Sequence, residues 1–227
     1  MTTINVSKKY EITDETQQVY DDETRQPKHF YRIRALRDFD DVKAGDLGGF
    51  IENESNLSHD GNCWVYDDAI VAYDAIVSEN AKIRNDACVV MEARIAGNAV
   101  VSDKARVLEK TAYVHGNAKI CDNAVICGEI YGNAIVCNKA MVSQEARIYD
   151  NAKILNSACV AGFIYGNAKI SGSACIYPEA EIYDNACIQG KVKVYFSVKI
   201  NGNTVIKGNR KIYKDIDGSE QTLDKTA

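Results

Sequence analysis

Three histidines, His29, His59 and His115, are the candidates for acid–base chemistry in this sequence. Removing a proton from a hydroxyl or an amine requires a base whose pKa lies near the working pH, and an ordinary imidazole meets that condition. His59 is followed by a carboxylate, Asp60, and both His59 and His115 lie near irregular steps of the repeat described below. The sequence contains no phosphate-binding loop, nucleophile elbow or paired-carboxylate motif. His59 and His115 are therefore the candidate catalytic bases, and a structural role for both is the alternative.

A second set of candidates is a series of aromatic residues with arginines beside it. The series recurs at steps of 16 or 18 residues and comprises His115, Tyr131, Tyr149, Tyr165 and Tyr183. Aromatic faces combined with guanidinium groups bind planar rings such as nucleobases. The candidate ligand-binding residues are Arg94, His115, Tyr131, Arg147, Tyr149 and Tyr165. The alternative is that the rings only stack on one another and stabilise the fold.

A six-residue repeat must position these side chains. Alanine returns at Ala69, Ala75 and Ala81, and the series continues to Ala105 without a break. An aliphatic residue follows each alanine by two positions, beginning with Val71. A period of six fits neither an α-helix nor the simple alternation of a hairpin strand. Because small and β-branched residues favour short stacked strands, the repeat predicts a solenoid.

The recurring pattern Asn-Ala-Lys-Ile resembles the hexapeptide-repeat superfamily over residues 49–206. The resemblance implies an all-β chain coiled as a left-handed parallel β-helix of triangular cross-section, with three hexads in each turn. We expect a small N-terminal β cap at residues 1–48, a β-helix of about nine turns at 49–206 and a polar tail or cap at 207–227. The segment from Arg34 to Ile51 further resembles uncharacterised bacterial and phage polymer-forming hexapeptide proteins, a group without an assigned activity.

The superfamily also supplies expectations about assembly and chemistry. Its members are typically trimers, and many are acyltransferases that place a histidine base at a subunit interface beside a protruding loop. The irregular steps near His59 and His115 are too short to be such a loop, and no helical domain follows the repeat. The resemblance therefore favours self-assembly over catalysis.

Every third hexad belongs to the same face of the coil, so the sequence separates three faces. One face has too many apolar residues in outward positions for a surface exposed to solvent, which indicates an interface. The candidate interface residues are Ile70, Cys88, Val90, Leu108, Val125, Met141, Cys159 and Cys175. Coverage of this face by the N-terminal cap is the alternative.

Composition limits the remaining classes. The net charge of −5 argues against general nucleic-acid binding, which needs a basic surface. Eight cysteines without a Cys-x-x-Cys pair, an apolar leader or a membrane span predict reduced thiols and a cytoplasmic location. Cys121 and Cys137 fall on adjacent turns, but no histidine joins them, so we expect them to fill an edge without a metal.

The sequence thus favours a non-catalytic β-solenoid that forms a homo-oligomer, with a trimer favoured. It would act by binding a small anionic or nucleotide-like ligand at subunit interfaces, without a metal or cofactor. One specific version is a phage protein that sequesters a nucleotide signal of its host. An acyltransferase with a histidine base and a structural or protein-binding scaffold are the alternatives.

Overall fold

The computed structural model describes residues 8–21, 25–218 and 222–223. Within these ranges the chain is all β except for one short 3₁₀ helix, Glu54–Asn56. The six-residue repeat forms the predicted fold, a left-handed parallel β-helix of about nine turns. The remaining positions of the predicted cap and tail lie outside the described residues.

Each turn contributes one short strand to each of three sheets, which we name after their outward residues. The apolar face contains Leu47–Ile51, Ile70–Val71, Cys88–Val89, Arg106–Val107, Val125–Ile126, Met141–Val142, Cys159–Val160, Cys175–Ile176, Lys193–Val194 and Lys211–Ile212. The aromatic face contains Ile76–Val77, Arg94–Ile95, Tyr113–Val114, Glu129–Ile130, Arg147–Ile148, Phe163–Ile164, Glu181–Ile182 and Lys199–Ile200. The lysine face contains Trp64–Val65, Lys82–Ile83, Val100–Val101, Lys119–Ile120, Ile135–Val136, Lys153–Ile154, Lys169–Gly172, Cys187–Gly190, Val205–Gly208 and Thr222–Leu223.

Two longer strands precede the coil and extend the sheet of the apolar face. β1 (Tyr10–Asp21) and β2 (Gln26–Ala35) form an antiparallel hairpin. β2 also pairs antiparallel with Leu47–Ile51, the first strand of the coil. The buried rings of Tyr10 and Trp64 meet edge to face at 6.1 Å and close the upper, N-terminal end of the core. Such a cover is needed because the first turn of a solenoid has no turn above it.

A cluster of charged side chains joins the segment after β2 to the first turns. The Asp41 carboxylate accepts hydrogen bonds from the Tyr66 hydroxyl at 2.5 Å and from Lys82 Nζ and Arg84 Nη2, each at 3.0 Å. Lys82 Nζ also lies 2.5 Å from a carboxylate oxygen of Asp40. The hydrogen bond from Tyr66, with those from the two cations, holds the pKa of Asp41 well below its usual range.

The core is one continuous column of small and aliphatic side chains. Ala81 and Ile83 are fully buried, and the equivalent pair on most other turns is fully buried as well. Where a step of the repeat shortens, glycine replaces alanine. A Cβ added at Gly128 would lie 2.4 Å from the Ser143 carbonyl oxygen, closer than packing allows. The shortened step therefore requires glycine.

One corner of the coil, between the aromatic and lysine faces, carries a ladder of side-chain amides. In each contact an Asn Nδ2 donates to the Oδ1 of the asparagine one turn on, at 3.0 or 3.1 Å. The ladder comprises Asn80, Asn98, Asn117, Asn133, Asn151, Asn167, Asn185 and Asn203. It runs beside the column of aromatic residues and links the successive turns there.

Parallel pairing continues past residue 206. Lys211–Ile212 pairs with Lys193–Val194, and Thr222–Leu223 pairs with residues 205–206. The ladder of the coil thus extends into the segment expected to be a tail or cap.

Candidate ligand-binding site

The aromatic series forms a single stacked column at the edge of the aromatic face. From His115 to Tyr183, neighbouring ring centroids lie 4.9–5.0 Å apart and the ring planes differ by 2–4°. The spacing equals the distance between strands of a β-sheet, because each ring comes from the same position of successive turns. The stacking expected from the sequence is confirmed.

The phenols of Tyr131, Tyr149 and Tyr165 remain protonated at neutral pH. Burial raises the pKa of Tyr131, Tyr149 and Tyr165 above the usual value for tyrosine. The Tyr165 hydroxyl donates to the Glu181 carboxylate at 3.2 Å, which also favours the neutral phenol. These three positions of the column therefore present neutral hydroxyl groups.

The stack of rings stops at the upper end of the column. The next two positions above His115 in the series are Ala96 and Ser78, which are too small to continue the stack. The ring of Tyr113, which lies two residues before His115 on the same turn, is 4.3 Å from the His115 ring at an angle of 28°. Tyr113 thus ends the column, and the residue is 38% exposed.

A recess of about 390 Å³ lies next to Tyr113 and is lined by Ile76, Ser78, Glu79, Arg94, Ala96 and Tyr113. Arg94 and Tyr113 are register partners on adjacent strands, so their side chains leave the same face one turn apart. No described residue forms an ion pair or hydrogen bond with the Arg94 side chain. Glu79 is engaged, because its Oε2 accepts a hydrogen bond from the Gly97 N–H at 2.8 Å. The recess therefore combines an exposed aromatic ring with an unpaired cation.

The predicted ligand-binding residues occupy two different settings. His115, Tyr131, Tyr149 and Tyr165 form the column, whereas Arg94 lies in the recess above it.

The remaining predicted residue, Arg147, is paired within the chain. Its Nε lies 3.3 Å from a Glu129 carboxylate oxygen, which partly neutralises its charge. The other Glu129 oxygen lies 3.6 Å from His115 Nε2. Arg147 therefore lacks the unpaired charge that Arg94 offers.

The second candidate base, His59, lies in the first turn of the coil and packs against the segment that precedes it. Its ring stacks on Tyr10 at 4.3 Å, and its Nδ1 accepts a hydrogen bond from the Lys9 backbone N–H at 3.2 Å. Burial lowers the pKa of His59, and its Nε2 is buried without a partner among the described residues. Three strand-to-strand steps separate the strand preceding His59 from that of His115, which corresponds to about 14 Å. The two imidazoles therefore do not belong to one site.

The apolar face is covered in its upper half. Ile70, Cys88, Val90 and Leu108 belong to a cluster with Phe30 of β2 and with Phe50. The lower half consists of the other candidate interface residues, Val125, Met141, Cys159 and Cys175. Met141 is 53% exposed there. Coverage by the cap thus accounts for the upper half, and a subunit contact remains a prediction for the lower half.

The cysteines require one correction. Cys121 and Cys137 form a disulfide, so the prediction of reduced thiols that fill an edge is wrong for this pair. Stacking of adjacent turns places their Cα atoms 4.7 Å apart, within the range that a disulfide spans. The other six cysteines are free, and burial raises the pKa of Cys88 and Cys159.

Sequence reasoning missed Tyr113, Ser78, Glu79 and Ala96 as parts of a site. A signal was present, because the aromatic position of the repeat changes to small residues at Ala96 and Ser78. Small side chains at positions that are aromatic on later turns leave space at the surface, and this space is the recess.

Comparison with known proteins gives a partial similarity. No family model matches the chain. Over 68 residues the chain is 37% identical to an uncharacterized acetyltransferase, YdcK, of Escherichia coli (strain K12). The matched segment is 29% of this chain and covers only 21% of the length of that relative. The β-solenoid and this similarity fit the hexapeptide-repeat superfamily. Among the described residues, no helix has the length and apolar character needed to cross a membrane.

Proposed function

We propose that this protein is a non-catalytic β-helix that assembles with copies of itself and binds a small, planar, anionic ligand. The observation that carries the proposal is the upper end of the aromatic column, where Tyr113 and the unpaired Arg94 line one recess. A nucleotide is the ligand class that fits best, because it joins a planar base to a phosphate.

The aromatic column provides a binding surface for the nucleobase. Tyr113 is backed by His115 and Tyr131, so its ring is held in place before a ligand arrives. A base lying on the exposed side of Tyr113 would occupy the space beside Ala96 and Ser78 and continue the stack. Stacking of a base on an aromatic side chain contributes about 1–3 kcal/mol, and a preorganised ring loses little entropy on binding.

Arg94 provides the positive charge that would bind the phosphate. A guanidinium binds phosphate oxygens in a bidentate manner, and Arg94 has no partner among the described residues that a phosphate would have to displace. Arg147, on the same face, already contacts Glu129. The ligand's charge therefore favours the recess over the lower part of the face.

Two further parts of the proposal concern assembly and biology. The lower half of the apolar face, where Met141 is exposed, would form the contact between subunits, with a trimer favoured. The resemblance to bacterial and phage polymer-forming proteins gives the specific version, a cytoplasmic phage protein that sequesters a host nucleotide signal without turning it over.

The test is isothermal titration of the full chain with a panel of cyclic nucleotides and sugar nucleotides, after native mass spectrometry has established the subunit count. We expect one member of the panel to bind, Arg94→Gln to weaken it by about tenfold or more, and Arg147→Gln to leave it nearly unchanged. Absence of binding across the panel to the intact assembly would overturn the proposal. Equal losses in the two arginine variants would assign the ligand to another part of the face.

An acyltransferase is the second candidate. His115 Nε2 lies 3.6 Å from Glu129, and a carboxylate beside an imidazole can orient a general base. The similarity to the E. coli acetyltransferase points the same way. Turnover of acetyl-CoA with sugar or amino acceptors, abolished by His115→Ala or His59→Ala, would establish this function in place of the first. If the protein neither binds a ligand nor turns over a substrate, but retains a stable protein partner in a pulldown, its function is that of a scaffold.

A further inference from the structure

Three side chains of types that can ligate a metal meet at one corner on the lysine-face side of the coil. Cys121 and Cys137 lie on adjacent turns and form the disulfide, and Asp122 follows Cys121 directly. The two sulfurs and a carboxylate oxygen of Asp122 all lie within 4.8 Å of one another. Among the described residues this is the only group of at least three such ligands so close together. The proximity comes from the coil, which repeats the corner on each turn.

The backbone of this corner is held independently of the disulfide. Asp122 Oδ2 accepts hydrogen bonds from the Asn138 backbone N–H at 2.9 Å and from its Nδ2 at 2.8 Å. The Cys121 N–H donates to the Val136 carbonyl oxygen at 3.1 Å, and the Asn123 N–H donates to the Asn138 carbonyl oxygen at 2.7 Å. Since these bonds do not involve sulfur, the two cysteines stay adjacent when the disulfide is reduced.

We propose that reduction of the Cys121–Cys137 disulfide opens a site for a divalent ion of the zinc class, bound by both thiolates and Asp122. Zn²⁺ binds thiolate sulfur at about 2.3 Å and carboxylate oxygen at about 2.0–2.2 Å in a tetrahedral arrangement. Three ligand atoms within 4.8 Å of one another are close enough to bind one such ion. Cys121 and Asp122 are half-buried, so water can complete the fourth position. The disulfide form lacks thiolates and has no such site.

The chemistry balances with a thiol reductant of the glutathione class. The S–S bond breaks, the reductant's two thiols become a disulfide, and their two electrons and two protons pass to Cys121 and Cys137. Zn²⁺ then replaces the two thiol protons, which are released to solvent. In a reducing compartment such as the proposed cytoplasm the thiol form dominates. Redox state would therefore decide whether the ion is bound.

The chain contains a matched control pair. Cys159 and Cys175 are register partners on the apolar face and are separated by the same number of residues as Cys121 and Cys137. No Asp, Glu or His among the described residues joins them in a group of three close ligands. The pair therefore tests whether two adjacent thiols are enough.

The experiment titrates Co²⁺, a spectroscopic substitute for Zn²⁺, into the full chain before and after reduction, followed by removal of the reductant without oxygen. Thiol counting checks the redox state, with six free thiols expected before reduction and eight after. We expect the reduced protein to bind one Co²⁺ per chain, with thiolate-to-cobalt charge transfer and tetrahedral ligand-field bands, and Zn²⁺ to displace it. The oxidised protein should show neither signal.

Variants decide between the proposed site and adventitious binding. Cys121→Ser/Cys137→Ser should abolish the charge-transfer band, Asp122→Asn should weaken binding about tenfold or more, and Cys159→Ser/Cys175→Ser should change neither. Circular dichroism and unfolding curves confirm that each variant is folded. A reduced protein with eight thiols and no band would overturn the proposal. So would a band that survives the first pair of substitutions or disappears with the second.

Discussion

The ring of Tyr113 lies 4.3 Å from the imidazole of His115 and closes a column of aromatic residues that continues down the coil. The two residues have different roles. From His115 to Tyr165 each ring has a neighbouring ring on both of its faces, and Tyr183 is the last ring of the column. Tyr113, in contrast, exposes its ring to the recess. Substitutions within the column should therefore affect stability, and substitutions at Tyr113 should affect binding.

The interior of the column makes a measurable contribution to stability. Tyr149 stacks on Tyr131 and on Tyr165, each at 4.9 Å. Tyr149→Ala should lower the free energy of unfolding by about 1–3 kcal/mol, because each aromatic pair contributes about 0.5–1.5 kcal/mol beyond area burial. Tyr149→Phe keeps the ring and should unfold within about 0.5 kcal/mol of wild type. Chemical denaturation measures both, and equal stability of the alanine variant and wild type would contradict the prediction.

The asparagine ladder can be tested at its middle and at its end. Asn133 accepts a hydrogen bond from Asn117 and donates one to Asn151, both at 3.0 Å. Asn203 is contacted only by Asn185 in the ladder. Since one intramolecular hydrogen bond contributes about 0.5–1.5 kcal/mol, Asn133→Ala should cost about twice as much stability as Asn203→Ala. Thermal unfolding of the two variants compares them, and the reverse order would show that the ladder does not couple the turns.

The Asp41 cluster predicts a dependence of stability on pH. The pKa of Asp41 is lower in the folded protein than in the unfolded chain, where an aspartate titrates near about 3.9. Its contribution is therefore fully present above about pH 4 and is lost as the pH falls through the folded-state pKa. Asp41→Asn should lower the melting temperature at pH 7, and its difference from wild type should shrink below pH 4.

The control for that experiment is Asp86→Asn, at an exposed corner position. It should leave the melting temperature nearly unchanged at every pH. A difference between wild type and Asp41→Asn that grows as the pH falls would contradict the assigned sign.

The disulfide should stabilise the coil. It closes a loop between residues 16 positions apart, and a loop of that length corresponds to a contribution of about 3 kcal/mol at most. We expect reductant to lower the denaturation midpoint of wild type and to leave Cys121→Ser/Cys137→Ser unaffected. An unchanged wild-type midpoint, with all eight thiols reactive, would show that hydrogen bonds alone hold this corner.

The faces of the coil could be predicted because pairing in a parallel solenoid follows from counting hexads. The register of Ile76 with Arg94, and of Arg94 with Tyr113, is what the repeat requires. The stacked column followed from the same counting. These features depend only on spacing along the chain.

Features that depend on departures from the repeat were harder to predict. Phe30 covers Val90 because β2 folds beside the coil, and no spacing within the repeat indicates where that strand lies. Tyr113 stacks on His115, two residues later in the same chain segment, and this contact depends on side-chain conformation rather than on register. That none of the described residues pairs with Arg94 likewise becomes apparent only once the surrounding side chains are placed.

A crystal structure of the protein soaked with the nucleotide that binds best would show whether the recess beside Tyr113 is the binding site. We expect a base stacked about 4–5 Å from the Tyr113 ring, with a phosphate contacting the Arg94 guanidinium. A nucleotide bound at saturating concentration on any other part of the protein, with the recess beside Tyr113 empty, would contradict this expectation.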